Sequence, residues 1–538
     1  MTSCLSKMSR SLPLLKGSIT LEDALTEDSD VLHELSYPEK RLDFYVYLSE
    51  HRQHLEELVS FHLGVPKETC KAARDFREWV HGSFNACVPV YVDETAKCRV
   101  KKSQFPGNAE EKLRCEVATY IWIENNCPDI SIPRLRGFGF PSGRCFTALE
   151  NKPILRRIAW FFQRTTLWLF GYPTPSQYIG RQSPFSPDSG YLIVDCVEEG
   201  EMLSESWNLL HHDRKRRANL FAGLSRIMLS LARVPFPRIG PLTIDNCGVL
   251  SLACRPLTCI LQQLENFGIP TDIPKDRTYV TADARIRYMP NSIHNTLDGQ
   301  AQLSALTMMR SLLPHFTDRD LRWGPFILML TDLHQSNIFV SNDWHVTAII
   351  DLEWACALPI EMLHPPYWLT GVAIDRIVEE ELEIMRKGWE IGNFWYFSAL
   401  DCLNGLYSLY MSHIQRIFAA TEDSGPKFDR TVSAYWTANT AEFIAAKVRD
   451  KEVYSSQLRE CPKLIRLPAE SSDLSSALST DQRVHRFGSP EDLSTHFKRK
   501  HLQHIKMGQT LEGPVCEMPL DHKQHLRNHA LRIHKAVS

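Results

Sequence analysis

Long apolar runs are missing from this chain, and so are the usual marks of export. The most apolar candidate for a membrane span, 158-IAWFFQRTTLWLF-170, is broken by Gln163 and Arg164. It falls far short of the roughly 20 residues a helix needs to cross a bilayer. It reads as a core or interfacial helix, and no membrane partner is expected. The opening MTSCLSKMSRSLPLLKGS has no continuous apolar segment, so no secretory signal is expected. The 15 cysteines are scattered without a tight framework. Reduced thiols in a cytoplasmic protein are therefore expected, with the nucleus as the alternative compartment. A net charge of −3 excludes a bulk electrostatic pull toward nucleic acid or anionic membrane, so any such contact needs a local patch. No repeat of fixed period is present, which excludes a solenoid.

What is there is an ordinary globular composition, 43% apolar and 23% charged, over 538 residues, which is enough for two to four folding units. Residues 1–40 are polar and Ser-rich and are expected to be poorly ordered. Helical patterns follow in 54-HLEELVSFHLG-64 and 70-CKAARDFREWVHG-82, then a strand pattern in 86-ACVPVYVD-93. In 111-EKLRCEVATYIWIENN-126, Leu113, Val117, Tyr120 and Ile121 share one helical face, and Pro128 ends the run. A second strand is read in 191-YLIVDCV-197. Beyond it the chain reads as mostly helical, including 375–394 and 401–420. Residues 468–482 shift to Ser, Asp and Ala and read as a linker. The tail, 483–538, is locally basic.

The densest chemical signal is 328-LMLTDLHQSNIFVSNDWHVTAIIDLEW-354. Asp332 is followed five residues later by Asn337, and Asp351 comes at the end of a second strand pattern. Ser341-Asn342-Asp343 supplies turn chemistry between NIFV and VTAIID. Phosphoryl transfer asks little covalent work of a protein. It needs nucleotide phosphates held by a divalent metal and an acceptor hydroxyl oriented by a carboxylate. Mg²⁺ takes oxygen ligands and keeps several waters, so a carboxylate and an amide oxygen suffice. Asp332, Asn337 and Asp351 are that set, and acids at the edge of apolar strands need such partners.

The stretches 331-TDLHQSNIFV-340 and 347-TAIIDLEWA-355 resemble the aminoglycoside phosphotransferase-like kinases. Further stretches, among them 82-GSFNACVPV-90, 191-YLIVDCVEEGEML-203 and 360-IEMLHPPYWLTG-371, resemble the filamentous-fungal branch of that family, over residues 60 to 460 or so. The resemblance implies an α+β fold of two lobes, protein-kinase-like: a small β-rich N-lobe at 41–195, a larger helical C-lobe at 196–467, and a partly disordered finger-like tail. It implies ATP and Mg²⁺ as cofactors and a hydroxyl-bearing small molecule as substrate. By position it makes Asp332 the catalytic base and Asn337 and Asp351 the metal ligands. Asp195 to Val197 become the hinge that meets adenine, Gly82 and Ser83 the loop over the phosphates, and Glu116 the partner of a phosphate-binding cation. A helix C-cap is the other reading of Gly82. His334, inside the motif, is expected to be structural.

The cation is the open position. In 93-DETAKCRVKKSQFPGN-108 no alternating apolar strand places Arg99, Lys101 or Lys102, and Lys101 is the first choice. A shortened strand, a pseudokinase that acts as an interaction protein, and a deletion in the sequence all fit. The tail resembles the second half of a Cys2His2 finger. Cys516, His529 and His534 have the zinc spacing, but Gly513 stands where a further Cys is needed. Zinc at three ligands, and nucleic-acid binding through the tail alone, form a third functional reading.

Overall fold

The computed structural model describes residues 11–15, 17–27, 30–82, 84–93, 96–103, 107–183, 190–266, 268, 271, 273–281, 296–370, 392–400, 406–418, 426–436, 438–461, 511–512 and 519–520. Helix and sheet are mixed, with most of the sheet toward the N-terminal side. The chain forms two compact units: Met1–Pro106 together with Val453–Ser538, and Gly107–Glu452. The lobe boundary expected at 195 thus falls inside the second unit.

In the first unit, part of the segment expected to be poorly ordered is built. Leu12–Pro13 pairs with Ser18–Ile19, and Thr20 starts the helix Leu21–Thr26 through a capping box with Asp23. Leu12, Ile19, Ala24 and Val31 bury with Leu458, near the end of the helix Thr440–Glu460. That burial offsets the ordering cost that a polar segment alone does not meet. Helices Tyr37–Glu50 and Arg52–Leu63 come next.

The stretch 70–82 is not a helix. It is a strand Cys70–Ala72, a 3₁₀ turn Phe76–Glu78 and a strand Val80–His81, both strands pairing with Asn85–Val92. The buried residues Cys70, Ala73, Phe76 and Trp79 recur every third position, which imitates a helical face. Gly82 accordingly sits in the turn of a hairpin, where its N–H donates to the Asn85 carbonyl at 3.0 Å, and is no helix cap. The strand Ala96–Ser103 pairs along the whole length of Asn85–Val92. Its buried positions are Cys98, Val100 and Lys102, and Lys101 is half-buried.

In the second unit, the helix Ala109–Asn126 buries Leu113, Val117, Tyr120 and Ile121. An antiparallel sheet runs from Tyr191–Asp195 to Leu135–Gly139, Arg144–Ala148 and Tyr178–Gln182. Between the last two strands lies the helix Ile154–Leu169, which buries none of its residues. The remainder is largely helical, with Leu203–Leu210, Arg214–Ala232, Thr296–Phe316 and Asn393–Leu400. One core joins the Ala109–Asn126 helix and the sheet to Leu328, Ile349, Leu352 and Ala355. Residues 375–391 of the expected helix and the linker 468–482 lie outside the described residues. Of 401–420, Leu406–Phe418 is described and is helical with a π-helical middle, Tyr410–Ile414. In the tail, Leu511–Glu512 pairs with Pro519–Leu520.

Candidate active site

The expected hairpin forms as two nested ribbons. Ile338–Val340 pairs with Val346–Ile349, with Ile338 opposite Ile349. Outside it, Phe326–Leu330 pairs with Ala355–Pro359, with Leu330 opposite Ala355. Two connections, 331–337 and 350–354, therefore run side by side from one ribbon to the other. Asp332 sits on the first connection, Asn337 at its end and Asp351 on the second. The hairpin turn is fixed by Trp344, which is fully buried, stacks on Trp207 at 5.5 Å and donates its indole N–H to Ser206 Oγ at 3.1 Å.

Hydrogen bonds tie the two connections together. Thr331 Oγ1 donates to the Trp354 carbonyl at 2.6 Å, and the Ile350 N–H donates to the Asn337 carbonyl at 3.0 Å. The Trp368 indole N–H holds the Leu333 carbonyl at 2.8 Å. The Asp332 carbonyl accepts from the His334 N–H and from Asn337 Nδ2, both at 2.9 Å. With its nitrogen engaged on the loop, Asn337 has its amide oxygen left as the donor atom a cation could use. Asp351 adopts φ +62°, in the left-handed region. Such a backbone in a non-glycine residue persists only where the surroundings impose it, and it recurs at functional sites. Asp332 and Asp351 line one shallow, open pocket with Thr331, Ile350 and Leu352.

Sequence reasoning missed three residues around this pocket. Glu353, 1% exposed, pairs with Lys112, 6% exposed, at 3.1 Å. Lys112 is in the first turns of the Ala109–Asn126 helix, and its ammonium also lies 5.7 Å from the centroid of the Trp354 ring. The signal was an acid flanked by Leu352 and Trp354, and a lysine four residues before Glu116 on the same helix. Cys259 is the third. Burial, followed by the negative charges of Asp332 and Glu353, pushes its thiol up to about 12. That thiol stays protonated and unreactive at neutral pH.

The other expected positions belong to other elements of the chain. Glu116 is buried in the middle of its helix. Asp195 ends its strand, and its carboxylate takes a two-pronged contact from Arg136 at 2.7 and 2.6 Å. Val197 follows, half-buried. Gly82 and Lys101 belong to the first unit. His334 is exposed and caps the Gln335–Asn337 turn, its Nδ1 accepting from the Ser336 N–H at 3.5 Å. Ser83, Cys516, His529 and His534 lie outside the described residues. Among the described residues no cluster of three or more His, Cys, Asp or Glu side chains is placed to hold a metal ion. The Asp332, Asn337 and Asp351 set has two carboxylates and an amide, a donor set that suits Mg²⁺ shared with phosphate oxygens.

No family model matches the chain, and no curated protein matches it. Similar solved structures include macrolide 2′-phosphotransferase MphH from Brachybacterium faecium, at 10% identity over 78% of this chain and 99% of that one, with TM-score 0.28. Plasmodium vivax ethanolamine kinase is 13% identical over 75% of this chain and 91% of its own, with TM-score 0.33. An aminoglycoside phosphotransferase from Alicyclobacillus acidocaldarius is 10% identical over 71% and 91%, with TM-score 0.22. Identities and TM-scores this low carry no conclusion about what this chain does.

Proposed function

We propose that the chain is a phosphotransferase of kinase-like fold that moves the γ-phosphoryl group of Mg-ATP to a hydroxyl of a small molecule. The observation that supports this reading is that Asp332, Asn337 and Asp351 stand on two adjacent, mutually hydrogen-bonded connections, with Asp332 and Asp351 lining one pocket. The Asp332 carboxylate orients the acceptor hydroxyl and takes its proton as the new O–P bond forms and the bond to the ADP oxygen breaks. The Asn337 amide oxygen and the Asp351 carboxylate would hold Mg²⁺. The ion, when bound, neutralises charge on the phosphate oxygens. The buried Lys112–Glu353 pair anchors the second connection two residues beyond Asp351. By the family resemblance, the backbone from Asp195 to Val197 would meet adenine.

The test is an ATP-consumption screen over hydroxylated metabolites with the Asp332→Asn protein as control. Loss of general-base help costs on the order of 10²–10⁴ in rate. Nucleotide binding should persist, read as a rise in melting temperature with Mg-ATP. Equal turnover by the two proteins rejects the assignment of Asp332. No stabilisation of the wild type at millimolar nucleotide rejects the nucleotide site, and with it the phosphotransfer reading.

A further inference from the structure

The helix Ile154–Leu169 is the most anomalous element of the fold. It is an excursion out of a hairpin whose flanking strands already pair directly, Ala148 opposite Tyr178. None of its residues is buried. At 3.6 residues per turn, Ile154, Ile158, Phe161, Phe162 and Leu169 fall on one face, with Leu155 at its edge. These six side chains are between 46 and 76% exposed. A stripe of this kind would ordinarily face a core. The less exposed residues are Trp160 and Leu167, from the opposite side, and Thr165 within the stripe.

Charge says what the stripe meets. From residue 151 to 183 there is no Asp or Glu, and Lys152, Arg156, Arg157, Arg164 and Arg181 are all basic, in a chain whose net charge is −3. Arg157 and Arg164, about two turns apart, border one edge of the apolar face. Trp168 and Tyr172, at 69 and 63% exposure, stand at the C-terminal end, where amphipathic rings sit at a headgroup boundary. Sixteen residues of helix span about 24 Å, less than the ~30 Å hydrocarbon layer. No described helix is long and apolar enough to cross a membrane. An apolar face with a basic border and no acid is the pattern of a helix lying in the plane of an anionic lipid surface.

We propose that the Ile154–Leu169 helix docks this protein reversibly onto anionic membrane surfaces, its phenylalanines entering the acyl boundary and its arginines meeting lipid phosphates. The site is separate from the Asp332 pocket, so Asp332→Asn binds vesicles like the wild type. The test is flotation of the full-length protein with phosphatidylcholine vesicles, with and without phosphatidylserine. Binding is expected with phosphatidylserine and not with phosphatidylcholine alone, and it should fall several-fold when salt rises from about 50 to about 300 mM. The double variant Phe161→Glu/Phe162→Glu should bind at least tenfold more weakly while melting close to the wild-type temperature, because the rings are 60 and 65% exposed. Binding unchanged in that variant, or no binding of the wild type at low salt, overturns the proposal. A wild-type dimer that the same substitutions turn into a monomer, with no vesicle binding, would assign the face to a second copy and overturn it equally.

Discussion

Replacing Lys112 with Met should be far more damaging than a single surface lysine would suggest. The substitution keeps the length of the side chain and removes its charge, leaving the Glu353 carboxylate, 1% exposed, without the cation 3.1 Å away. Breaking a buried pair from one side costs about 3–5 kcal/mol, because a buried charge that loses its cation keeps its desolvation penalty. For a unit of roughly 350 residues the unfolding entropy near the melting point is about 0.7 kcal/mol per kelvin, so the melting temperature should fall by about 4–7 °C. Glu353→Leu alone should cost a similar amount. The double variant Lys112→Met/Glu353→Leu should recover most of the loss, since an apolar pair of similar volume is tolerated in such a place. Thermal melts followed by circular dichroism, arranged as a double-mutant cycle, give the coupling directly. A fall of less than about 1 °C for Lys112→Met, or a double variant no better than the singles, would refute the argument that this pair is buried and coupled.

Acid should weaken the fold through Glu265. Burial pushes its carboxyl up, but hydrogen bonds from Arg255, Thr271 and Asn108 outweigh that and hold it at about 2. A depressed folded value means stability present above the unfolded value near 4.5 and lost as pH falls toward 2. Urea melts across that window should flatten in Glu265→Gln, and an unchanged slope would reject the assignment. Among the cysteines, exposed Cys247 should react with iodoacetamide at pH 8 well before Cys259, whose thiol is held near 12. Peptide mapping reads the order, and early labelling of Cys259 would contradict its surroundings. At Gly200, φ is +88° and an added Cβ would lie 2.5 Å from the Val340 carbonyl oxygen. Gly200→Ala should therefore cost about 1–3 kcal/mol by pushing on the inner ribbon of the site, and a neutral melt would show that the ribbon yields.

The parts of the fold that could be read in the sequence are those fixed by local pattern. The inner ribbon is announced by NIFV, the turn residues and VTAII, and the Ala109–Asn126 helix by one apolar face. The N-terminal structure had a legible mark as well, since 20-TLED-23 is a capping box. Where pairing is long-range, the pattern misleads. Cys70–Ala72 becomes a strand because Val90–Val92 lies beside it, against a spacing that suits a helix. Ala96–Ser103 becomes a strand because its partner is strongly patterned, although only Cys98 and Val100 announce it. The outer ribbon and the Lys112–Glu353 pair were illegible for the same reason: they join segments whose proximity no local window contains. The exposed face of Ile154–Leu169 was legible as amphipathic, but whether a stripe faces a core or the outside is decided by the rest of the fold.

The left-handed backbone at Asp351 limits the vocabulary of that position. A β-branched or bulky residue would clash with its own carbonyl there, and of the residue types able to offer an oxygen to a cation, aspartate and asparagine tolerate the conformation best. Alanine scanning would therefore confound two effects at this point, the lost carboxylate and a strained main chain. Exchange to asparagine isolates the charge, and exchange to glycine isolates the side chain. Comparing the two tells how much of the residue's identity is dictated by chemistry and how much by the shape of the chain.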